Sequence, residues 1–311
     1  MKKIVTLTVN PTIDKSTRVQ EVKSGQKLRC EPPRREPGGG GLNVARAVMR
    51  LGGSSTALYA KGGYTGEMLE ALLKEEGLTR ESIEIEASTR ENLIVLEESS
   101  GEQFRFGMPG PKFSEGEWRG CLKVIADLDP APDYLVASGS LAPGMPDDFY
   151  GRLAEICADQ STRLVVDTSG PPLRRAVDAG VFLIKPNATE LQELIGEELN
   201  DRDRQRDAAR DLISRGCCKI VVLSLGAEGA LVITSEESKH LPSPKVSVRS
   251  AVGAGDSMVA GTVLAMARGM SLMDATRFGV AAGAAAVTTE GTELCRREDV
   301  ETLFEEMRNS S

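Results

Sequence analysis

The chain has 311 residues, of which 40% are apolar and 27% are charged, and its net charge is −8. This acidic balance disfavours nucleic acid and anionic membranes as partners, because both need a basic footprint, while the apolar fraction predicts a globular protein with a sizeable core. The chain contains one histidine, His240, which excludes a zinc site built from several histidines and leaves a carboxylate, lysine, tyrosine or cysteine as the expected base for proton transfer.

The six cysteines form no C-x-x-C pair and show no regular spacing, so we expect reduced, mostly buried thiols and a cytoplasmic protein. The apolar run at 4–9 is too short for a signal peptide, because Asn10-Pro11 and Asp14 interrupt it. The uncharged stretch 278–289 is far shorter than the roughly 20 residues that a membrane span requires. A membrane partner is therefore not expected.

Predicted strands and helices alternate along most of the chain. The first strand is predicted at 4–9, and the first helix at 42–51, where Gly52-Gly53 ends it. Further strands are predicted at 56–60, 133–137, 163–167, 182–185, 220–225 and 230–234, and further helices at 66–76, 256–268, 272–288 and 298–307. This alternation favours a doubly wound α/β domain with a largely parallel sheet, closed by a hairpin across 226–229.

One region departs from this alternation. Residues 92–98 and 103–107 read as a hairpin with no helix between its strands, and 17–28 lacks helical periodicity. We therefore predict one domain over 1–311 that carries a small β appendage, contributed by about 15–36 and 88–108.

The strongest local feature is the run Gly253-Ala254-Gly255-Asp256, which follows a strand-like stretch at 245–248 and opens a predicted helix. A glycine-rich turn at a helix N-terminus presents backbone N–H groups and the positive end of the helix dipole, and so predicts an anion site. Asp256 is either an ordinary helix-terminal acid or a base beside that anion, and the local sequence leaves both open.

A second glycine run, 38–41, also precedes a predicted helix. Because the apolar positions Val44 and Val48 follow at once, a binding loop is favoured over a flexible linker. Neither glycine run is a nucleotide fingerprint by itself. The sequence contains no P-loop motif and no G-x-G-x-x-G motif, which argues against a P-loop protein and a dinucleotide-binding domain.

A third motif, Lys185-Pro186-Asn187-Ala188-Thr189-Glu190, joins a buried strand to a helix. The carboxyl ends of strands are where open α/β sheets bind ligands, but Asn187 and Glu190 could also be a capping box without further function. Several basic residues on or near the appendage would make a plausible sugar-phosphate clamp: Lys27, Arg29, Arg34, Arg35, Arg90 and Arg105.

Taken together, three motifs resemble the ribokinase-like (PfkB-type) carbohydrate kinase family: 38–43, Asn187-x-x-Glu190 and 252–256, in the family's order. Further strings resemble its phosphofructokinase-2 type of 6-phosphofructokinase, at 27–30, 100–106, 138–141, 224–226 and 277–283. The resemblance implies a three-layer α/β/α domain with a small β-sheet lid. It also implies ATP-dependent phosphorylation of fructose 6-phosphate to fructose 1,6-bisphosphate.

The resemblance implies roles for individual residues. Asp256 would be the general base, beside an anion hole formed by Gly253, Ala254 and Gly255. The sugar phosphate would be bound by Asp14, Lys27, Arg29, Gly38, Gly39, Asn43, Arg90 and Ser140. ATP would be bound by Lys185, Asn187, Ser224, Gly226 and Gly283, with Glu190 and Asn187 holding Mg²⁺ through water. A homodimer formed through the lid is implied as well.

A monovalent cation, K⁺, is also implied by the resemblance, with ligands expected at Ser250, Val252, Ala286 and Gly291. Many family members carry Asp-Thr where this chain has Ser250-Ala251. A carboxylate ligand for the cation is therefore missing, and backbone carbonyls would have to supply much of its shell.

Two kinds of alternative stay open. Kinases of tagatose 6-phosphate and of fructose 1-phosphate share much of the pattern. A non-catalytic sugar-phosphate sensor on the same fold is a different class of function, and the intact Asp256, its glycine turn and the Asn187/Glu190 pair argue against it.

Overall fold

The computed structural model describes residues 1–289 and 293–309. Its strands, in chain order, are β1 Ile4–Thr8, β2 Thr12–Val19, β3 Arg34–Gly38, β4 Thr56–Lys61, β5 Arg80–Glu84, β6 Arg90–Glu97, β7 Gln103–Phe106, β8 Tyr134–Ser138, β9 Arg163–Asp167, β10 Val181–Ile184, β11 Cys218–Ser224, β12 Ala230–Ile233 and β13 Ser238–Leu241. Its helices are α1 Gly40–Arg50, α2 Gly63–Glu75, α3 Glu115–Ala126, α4 Phe149–Asp159, α5 Gly170–Ala179, α6 Ala188–Ile195, α7 Arg202–Ser214, α8 Ala254–Ala267, α9 Leu272–Ala286 and α10 Arg297–Asn309.

Nine strands form the main sheet, in the order β13-β12-β11-β10-β9-β8-β1-β4-β5. The strands from β11 to β5 pair in parallel, and β12 and β13 add an antiparallel edge. Successive side chains on a strand point to opposite faces, and both faces here are covered. Leu135 and Val166 therefore join one core cluster while Val136 and Val165 join the other.

Helices cover the two faces of this sheet. Residues of α3 to α7 share one apolar cluster with the strands, and residues of α1, α8, α9 and α10 share the other. Helix α2 packs with α1 around a smaller third cluster, which includes Ile13 of β2. The expected three-layer α/β/α architecture is confirmed. None of the helices in the described part of the chain is long and apolar enough to cross a membrane.

A second sheet lies outside this body, with strand order β3-β2-β6-β7. β2 and β6 pair in parallel through the whole of 12–19, and β3 and β7 flank them in antiparallel orientation. The predicted hairpin at 92–107 is thus confirmed. Its first two strands span Thr12 to Gly38, slightly beyond the predicted 15–36 segment. The end of the sheet at Thr12, Gly38 and Arg90, its inner end, therefore lies next to the glycine run.

Sequence reasoning was wrong about the strand-like stretch at 245–248. The structure places no strand there: Val248 is 69% exposed, and the edge of the main sheet is instead β13. Because this stretch has no strand beside it, Val248 faces solvent, and Val246 is only half-buried. The edge strand β13 was missed because its sequence, Ser-Lys-His-Leu, is mostly polar, and it contains His240, whose Nε2 lies 2.8 Å from the carbonyl oxygen of Glu228.

Helices α8 and α9 cross at two glycines. A Cβ atom added to Gly279 would lie 2.0 Å from Oγ1 of Thr262 and 2.6 Å from the carbonyl oxygen of Met258. On the facing helix, a Cβ on Gly261 would lie 3.0 Å from the Cα of Gly279. This close approach fixes the position of α8, which is apolar on all sides and carries Asp256 in its first turn.

We expect Gly279→Ala to lower the free energy of unfolding by about 2 kcal/mol, because the added methyl group overpacks the helix crossing. Gly120→Ala is the matched control, since that helical glycine has nothing within 4 Å of an added Cβ. The control should be neutral or stabilise the protein by about 0.5–1 kcal/mol. Urea unfolding monitored by circular dichroism measures both, and equal stability of the two variants would contradict the packing argument.

Candidate active site

The carboxyl ends of the parallel strands meet along one edge of the main sheet, and charged side chains collect there. Ser138 ends β8, Asp167 ends β9, and Lys185 follows β10 directly. The first turn of α8 brings Asp256 to the same point. Nζ of Lys185 lies 3.2 Å from Oδ1 of Asp167, and Oγ of Ser138 lies 3.5 Å from Oδ1 of Asp256. This group of side chains is the candidate site.

The carboxyl of Asp256 lies deep in this site but keeps part of its surface accessible. Burial and the nearby charge of Asp167 raise its pKa to about 6, although hydrogen bonds from Asn43 and Ser138 and the charge of Lys185 act in the opposite direction. The hydrogen bond from Nδ2 of Asn43 to Oδ2 of Asp256 is 2.9 Å long. A carboxylate with a pKa in this range is ionised at neutral pH and is a stronger base than a surface aspartate.

The turn that precedes Asp256 is built as the sequence predicted. Gly253 is the N-cap of α8 with φ of +75°, and a Cβ there would lie 2.6 Å from Cδ2 of Leu294. A Cβ on Gly255 would lie 3.4 Å from Nζ of Lys185. The amide groups of Gly253, Ala254 and Gly255 therefore open α8 beside a buried ammonium group, an arrangement that favours a bound anion.

Burial tends to lower the pKa of Lys185, but the negative charges of Asp167, Glu190 and Asp256 outweigh it and raise that pKa. The lysine consequently remains charged. Asp167 was not singled out from the sequence as a site residue, even though it closes a correctly predicted strand. The signal that could have found it is the presence of an acid at the carboxyl end of a buried parallel strand.

The glycines of the run at 38–41 allow two kinds of close contact, one with Asp14 and one with the main sheet. A Cβ on Gly38 would lie 2.3 Å from Oδ2 of Asp14, and Gly39 adopts φ of +116°. Gly40 and Gly41 instead allow the start of α1 to pack against the main sheet, since added Cβ atoms would lie 2.2 Å from Oγ of Ser138 and 2.4 Å from the carbonyl oxygen of Leu7. All four glycines therefore lie close to other protein atoms, and none of them borders open space.

Asp14 lies at the inner end of the second sheet, with its carboxylate over Gly38. Oδ1 of Asp14 accepts a hydrogen bond of 3.0 Å from Nδ2 of Asn92, a residue that sequence reasoning missed. Burial raises the pKa of Asp14, in the same sense as nearby Glu36, while Asn92 and the charges of Arg90 and Arg105 lower it in part. An acid held in this way is suited to accept hydrogen bonds from hydroxyl groups.

Arg90 is committed largely to the protein backbone. Its guanidinium donates to the carbonyl oxygens of Asn10 and Met108 at 3.0 Å each and to that of Pro11 at 3.4 Å. The residue is half-buried and keeps donors beyond these three bonds. Nearby, Ser140 is exposed, and its Oγ accepts a hydrogen bond of 3.2 Å from Nδ2 of Asn10.

Lys27 and Arg29 lie elsewhere. Both are exposed in the connection between Val19 and Arg34, which joins the outer ends of β2 and β3. Asp14 is five residues before the end of β2, and a strand rises about 3.3 Å per residue, so this connection lies some 17 Å or more from the inner end of the sheet. Within one chain the structure does not bring these two residues to Asp256.

Asn187 and Glu190 form the capping box that the sequence left as one of two alternatives. Oδ1 of Asn187 accepts from the backbone N–H of Glu190 at 2.9 Å, and Oε2 of Glu190 accepts from that of Asn187 at 2.8 Å. Ser224 lies alongside, joined to Asn187 by an isolated β-bridge. This reciprocal pair rigidly orients the start of α6 at the site.

The two remaining glycines of the predicted ATP set differ in their surroundings. Gly226 has φ of +58° and nothing within 4 Å of an added Cβ, so it borders open space. A Cβ on Gly283 would instead lie 3.2 Å from the carbonyl oxygen of Ala254. The structure therefore gives Gly283 a packing role against the first turn of α8.

The residues fit a hydrated magnesium ion better than a protein-built cage. In the part of the chain that the structure describes, no three acidic, histidine or cysteine side chains cluster as a metal site. Asp167, Glu190 and Asp256 do surround Lys185. Mg²⁺ keeps several waters and binds through one or two carboxylates together with phosphate oxygens, which matches this donor set.

The predicted monovalent-cation segments come together. The backbone N–H of Ser250 donates to the carbonyl oxygen of Val287 at 3.2 Å, and Oγ of Ser250 accepts from the N–H of Val252. The carbonyl oxygen of Ala286 already accepts from both the N–H and Oγ1 of Thr289. Gly291 lies outside the described residues.

Comparison with known proteins is consistent with this geometry. The pfkB family of carbohydrate kinases matches residues 7–299. ATP-dependent 6-phosphofructokinase isozyme 2 of Mycobacterium tuberculosis is 46% identical over 303 residues, which cover 97% of this chain and 89% of that protein. A 1-phosphofructokinase of Bacillus subtilis is 33% identical over 305 residues, 98% of each chain.

Solved structures show the same fold. The phosphofructokinase-2 of Escherichia coli in complex with potassium superposes with a TM-score of 0.95 at 42% identity, over 99% of this chain and 100% of that one. The same enzyme in complex with fructose-6-phosphate gives a TM-score of 0.93 at 41% identity, with the same coverage. The fold class inferred from the sequence is confirmed.

We expect the Asp256 carboxyl to titrate with a pKa of about 6, against the ordinary value of 3.8 for aspartate. Asp167→Asn should lower that pKa, because it removes a like charge and leaves Lys185 free to interact with Asp256. Carboxyl ¹³C NMR on Asp-labelled protein, assigned with Asp256→Asn, measures both. Asp211→Asn, an exposed carboxylate on α7, should leave it unchanged. A pKa near 3.8 in the parent would contradict the assigned burial.

Proposed function

The chain belongs to the pfkB family of carbohydrate kinases, and we propose that it transfers the γ-phosphoryl group of ATP to fructose 6-phosphate, yielding fructose 1,6-bisphosphate. The family is one of ATP-dependent kinases, and the M. tuberculosis and B. subtilis relatives named above act on sugar phosphates by name. The observation that carries the proposal is the half-buried Asp256, with its raised pKa, after the glycine turn in the first turn of α8.

Asp256 is the general base of the proposed reaction. The attacking sugar hydroxyl passes its proton to the carboxylate as the oxygen bonds to the γ-phosphorus and the bond to the β-phosphate oxygen breaks. Phosphoryl transfer depends mainly on positioning and charge stabilisation, so a late proton transfer to a carboxylate is sufficient. No histidine is needed, and the only one, His240, lies on the edge strand β13.

Charge on the transferring group is stabilised by the amides of Gly253, Ala254 and Gly255 and by Lys185. Backbone N–H groups at a helix N-terminus are already oriented, so they stabilise developing negative charge without reorganising. The ammonium group of Lys185 is buried near Gly255 and held by Asp167, which supports the same role. Asn187, Ser224, Gly226 and Gly283 are proposed to line the ATP site, with Glu190 and Asn187 holding Mg²⁺ through water. When bound, Mg²⁺ neutralises phosphate charge.

The sugar is proposed to bind between the second sheet and the start of α1. Asp14 accepts hydrogen bonds from its hydroxyls, and the close backbone at Gly38 and Gly39 lets the sugar approach Asn43. Its phosphate is bound by the spare donors of Arg90 and by Ser140. Lys27 and Arg29 do not reach this point within one chain, so they would contribute only across the proposed dimer. In this scheme the second sheet, about 15–36 and 88–108, is the lid of a single kinase domain over 1–311.

Three further properties belong to the proposal. A potassium ion binds near 250–252 and 286–291, supported by the potassium complex of the E. coli relative. The protein is located in the cytoplasm, which is supported by its six cysteines without disulfides, five of them buried. Cell fractionation that finds the protein elsewhere would contradict this location. The chain forms a homodimer through the second sheet, where Phe106 and Met108 are 48% and 45% exposed.

One alternative substrate has specific support. The B. subtilis relative is a 1-phosphofructokinase by name, so fructose 1-phosphate is the second candidate. Tagatose 6-phosphate remains a third, as does a non-catalytic sensor of the same ligands. The acceptors differ only in the position of the phosphate or in ring stereochemistry, which residues such as Arg90 and Ser140 would have to distinguish.

A coupled ADP-release assay over fructose 6-phosphate, fructose 1-phosphate and tagatose 6-phosphate, with and without potassium, tests the proposal. We expect the highest kcat/KM with fructose 6-phosphate, and higher activity with potassium. Asp256→Asn should lower kcat by about a thousandfold or more, because general base and positioned charge are lost together. His240→Gln is the control and should retain most activity.

Each outcome of this assay separates the candidates. A higher kcat/KM with another acceptor would replace fructose 6-phosphate as the assigned substrate. Binding of a sugar phosphate without ADP release would favour the non-catalytic sensor. Near-normal turnover by a folded Asp256→Asn protein would contradict the assignment of the base. Loss of activity in a folded His240→Gln protein would reopen it.

For the oligomer, we expect the full chain to sediment as a dimer at micromolar concentration. Phe106→Asp should shift it toward monomer, because a charge would be buried in an apolar contact. Tyr64→Asp is the control, since Tyr64 is 80% exposed and lies on α2, outside the second sheet. A monomeric parent protein would contradict the proposed dimer.

A further inference from the structure

An ion pair lies behind the glycine run, on the side of α1 that faces the protein interior. The side chain of Arg46 has no exposed surface, whereas that of Glu76, at the end of α2, is 25% exposed. The guanidinium meets the carboxylate with two bonds, from Nε to Oε2 at 2.7 Å and from Nη2 to Oε1 at 2.6 Å. Burying a charge is costly unless the charge is fully paired, and a buried ion pair is weak evidence for stability. This ion pair is therefore a candidate for a role other than packing.

The remaining guanidinium nitrogen of Arg46, Nη1, faces the candidate site. Nη1 donates to the carbonyl oxygen of Pro37 at 2.9 Å and to Oδ1 of Asn43 at 3.3 Å. The other end of the same Asn43 amide donates from Nδ2 to Oδ2 of Asp256 at 2.9 Å. A continuous chain of hydrogen bonds therefore runs from Glu76 through Arg46 and Asn43 to Asp256.

This chain determines which way the Asn43 amide faces. A guanidinium has donors only, so the amide must present its oxygen to Arg46. Its NH₂ group is then left for the Asp256 carboxylate, which has acceptors only when ionised. A flipped amide would place its oxygen against that carboxylate and its NH₂ group against the guanidinium, so both contacts would become repulsive.

We propose that Arg46, held by Glu76, is a positioning residue for the general base: it locks the Asn43 amide in the orientation that stabilises and aims the ionised Asp256 carboxylate. The inference rests on the proposed function, because it assigns Arg46 a role in the chemistry of Asp256. The bond to Pro37 extends this role, since Pro37 precedes Gly38, over which Asp14 lies. The base and the sugar-binding strand thus share one anchor.

The groups that face Asp256 fix the sign of the expected effect. Burial and the charge of Asp167 at the end of β9 raise the pKa of Asp256, while Asn43 on α1, Lys185 after β10 and Ser138 on β8 lower it. Releasing the Asn43 amide removes one of the lowering contacts and so raises that pKa. A base with a higher pKa is protonated at higher pH, so the acid limb of the kcat/KM profile must move upward.

The test is the double variant Arg46→Met/Glu76→Gln, which removes both charges and so avoids an unpaired buried ion. We expect kcat to fall about tenfold, as for loss of a hydrogen bond to a charged group, and the acid limb to rise by about half to one pH unit, with the KM for ATP little changed. The unfolding midpoint reports whether the variant is folded under the assay conditions.

The chain supplies a closely matched control. Arg80 donates from Nε and Nη2 to the single oxygen Oε1 of Glu70, and from Nη1 to the carbonyl oxygen of Leu78, at 3.0 Å or less. It thus pairs with a carboxylate and a backbone carbonyl as Arg46 does, without a contact to Asn43. Arg80→Met/Glu70→Gln should retain the parent kcat and pH profile. If the Arg46 double variant does not fold, Arg46→Lys, which keeps the charge but not the paired geometry, takes its place.

The proposal is overturned if a folded variant at position 46 keeps both the parent kcat and the parent acid limb, because the ion pair is then purely structural. An equal effect in the Arg80 control also overturns it. If the parent protein turns over none of the sugar phosphates, the proposed function fails instead. In that case carboxyl ¹³C NMR of Asp256 decides the positioning role without turnover. The Arg46 variant must raise the pKa of Asp256, and the Arg80 control must not.

Discussion

The attraction between Lys185 and the carboxylates around it is the interaction on which the site depends. The edge of the sheet gathers Asp167, Glu190 and Asp256 into one region, and without a cation there they would repel any phosphate. Lys185 is buried, which disfavours its charge, yet the three acids keep it protonated. Since it also lies near Gly255, its charge adds to that of the α8 N-terminus. A site rich in acids can thereby present a positive face to an anionic ligand.

The scaffold delivers these groups by close backbone contacts more than by side-chain reach. Gly279 and Gly261 let α8 lie against α9, and Gly40 and Gly41 let α1 lie against the ends of β1 and β8. The two helices that carry Asp256 and Asn43 are therefore fixed by packing before either side chain is considered. The capping box of Asn187 and Glu190 has the same effect on α6, so one residue pair can serve both as a helix terminus and as a ligand site.

The sequence was sufficient to predict the α/β alternation, because the buried parallel strands are short apolar runs such as 163–167 and the helices have clear periodicity. It did not predict strands whose stability comes from neighbours: β3 has the sequence Arg-Arg-Glu-Pro-Gly, and β5 and β13 are largely polar. In contrast, 245–248 has a strand pattern and no neighbouring strand. Asp256 and its turn were found because four consecutive residues, Gly253 to Asp256, carry the whole motif. Asn92 and Arg46 were missed because their roles arise only from contacts between distant segments, which one sequence does not display. Asp167 did carry a signal in the sequence, as an acid at the carboxyl end of a buried strand.

The order of its strands along the chain affects how the second sheet can form. It combines two ribbons, β2 with β3 and β6 with β7, which enter the chain separately, on either side of the β4-α2-β5 unit. A two-stranded ribbon alone is at best marginally stable in water. The parallel pairing of β2 with β6 requires a crossover, and here the crossover contains α1, β4, α2 and β5 of the main body. The two ribbons therefore pair only when the intervening unit has packed and brought β6 beside β2, so the stability of the second sheet depends on that of the main body.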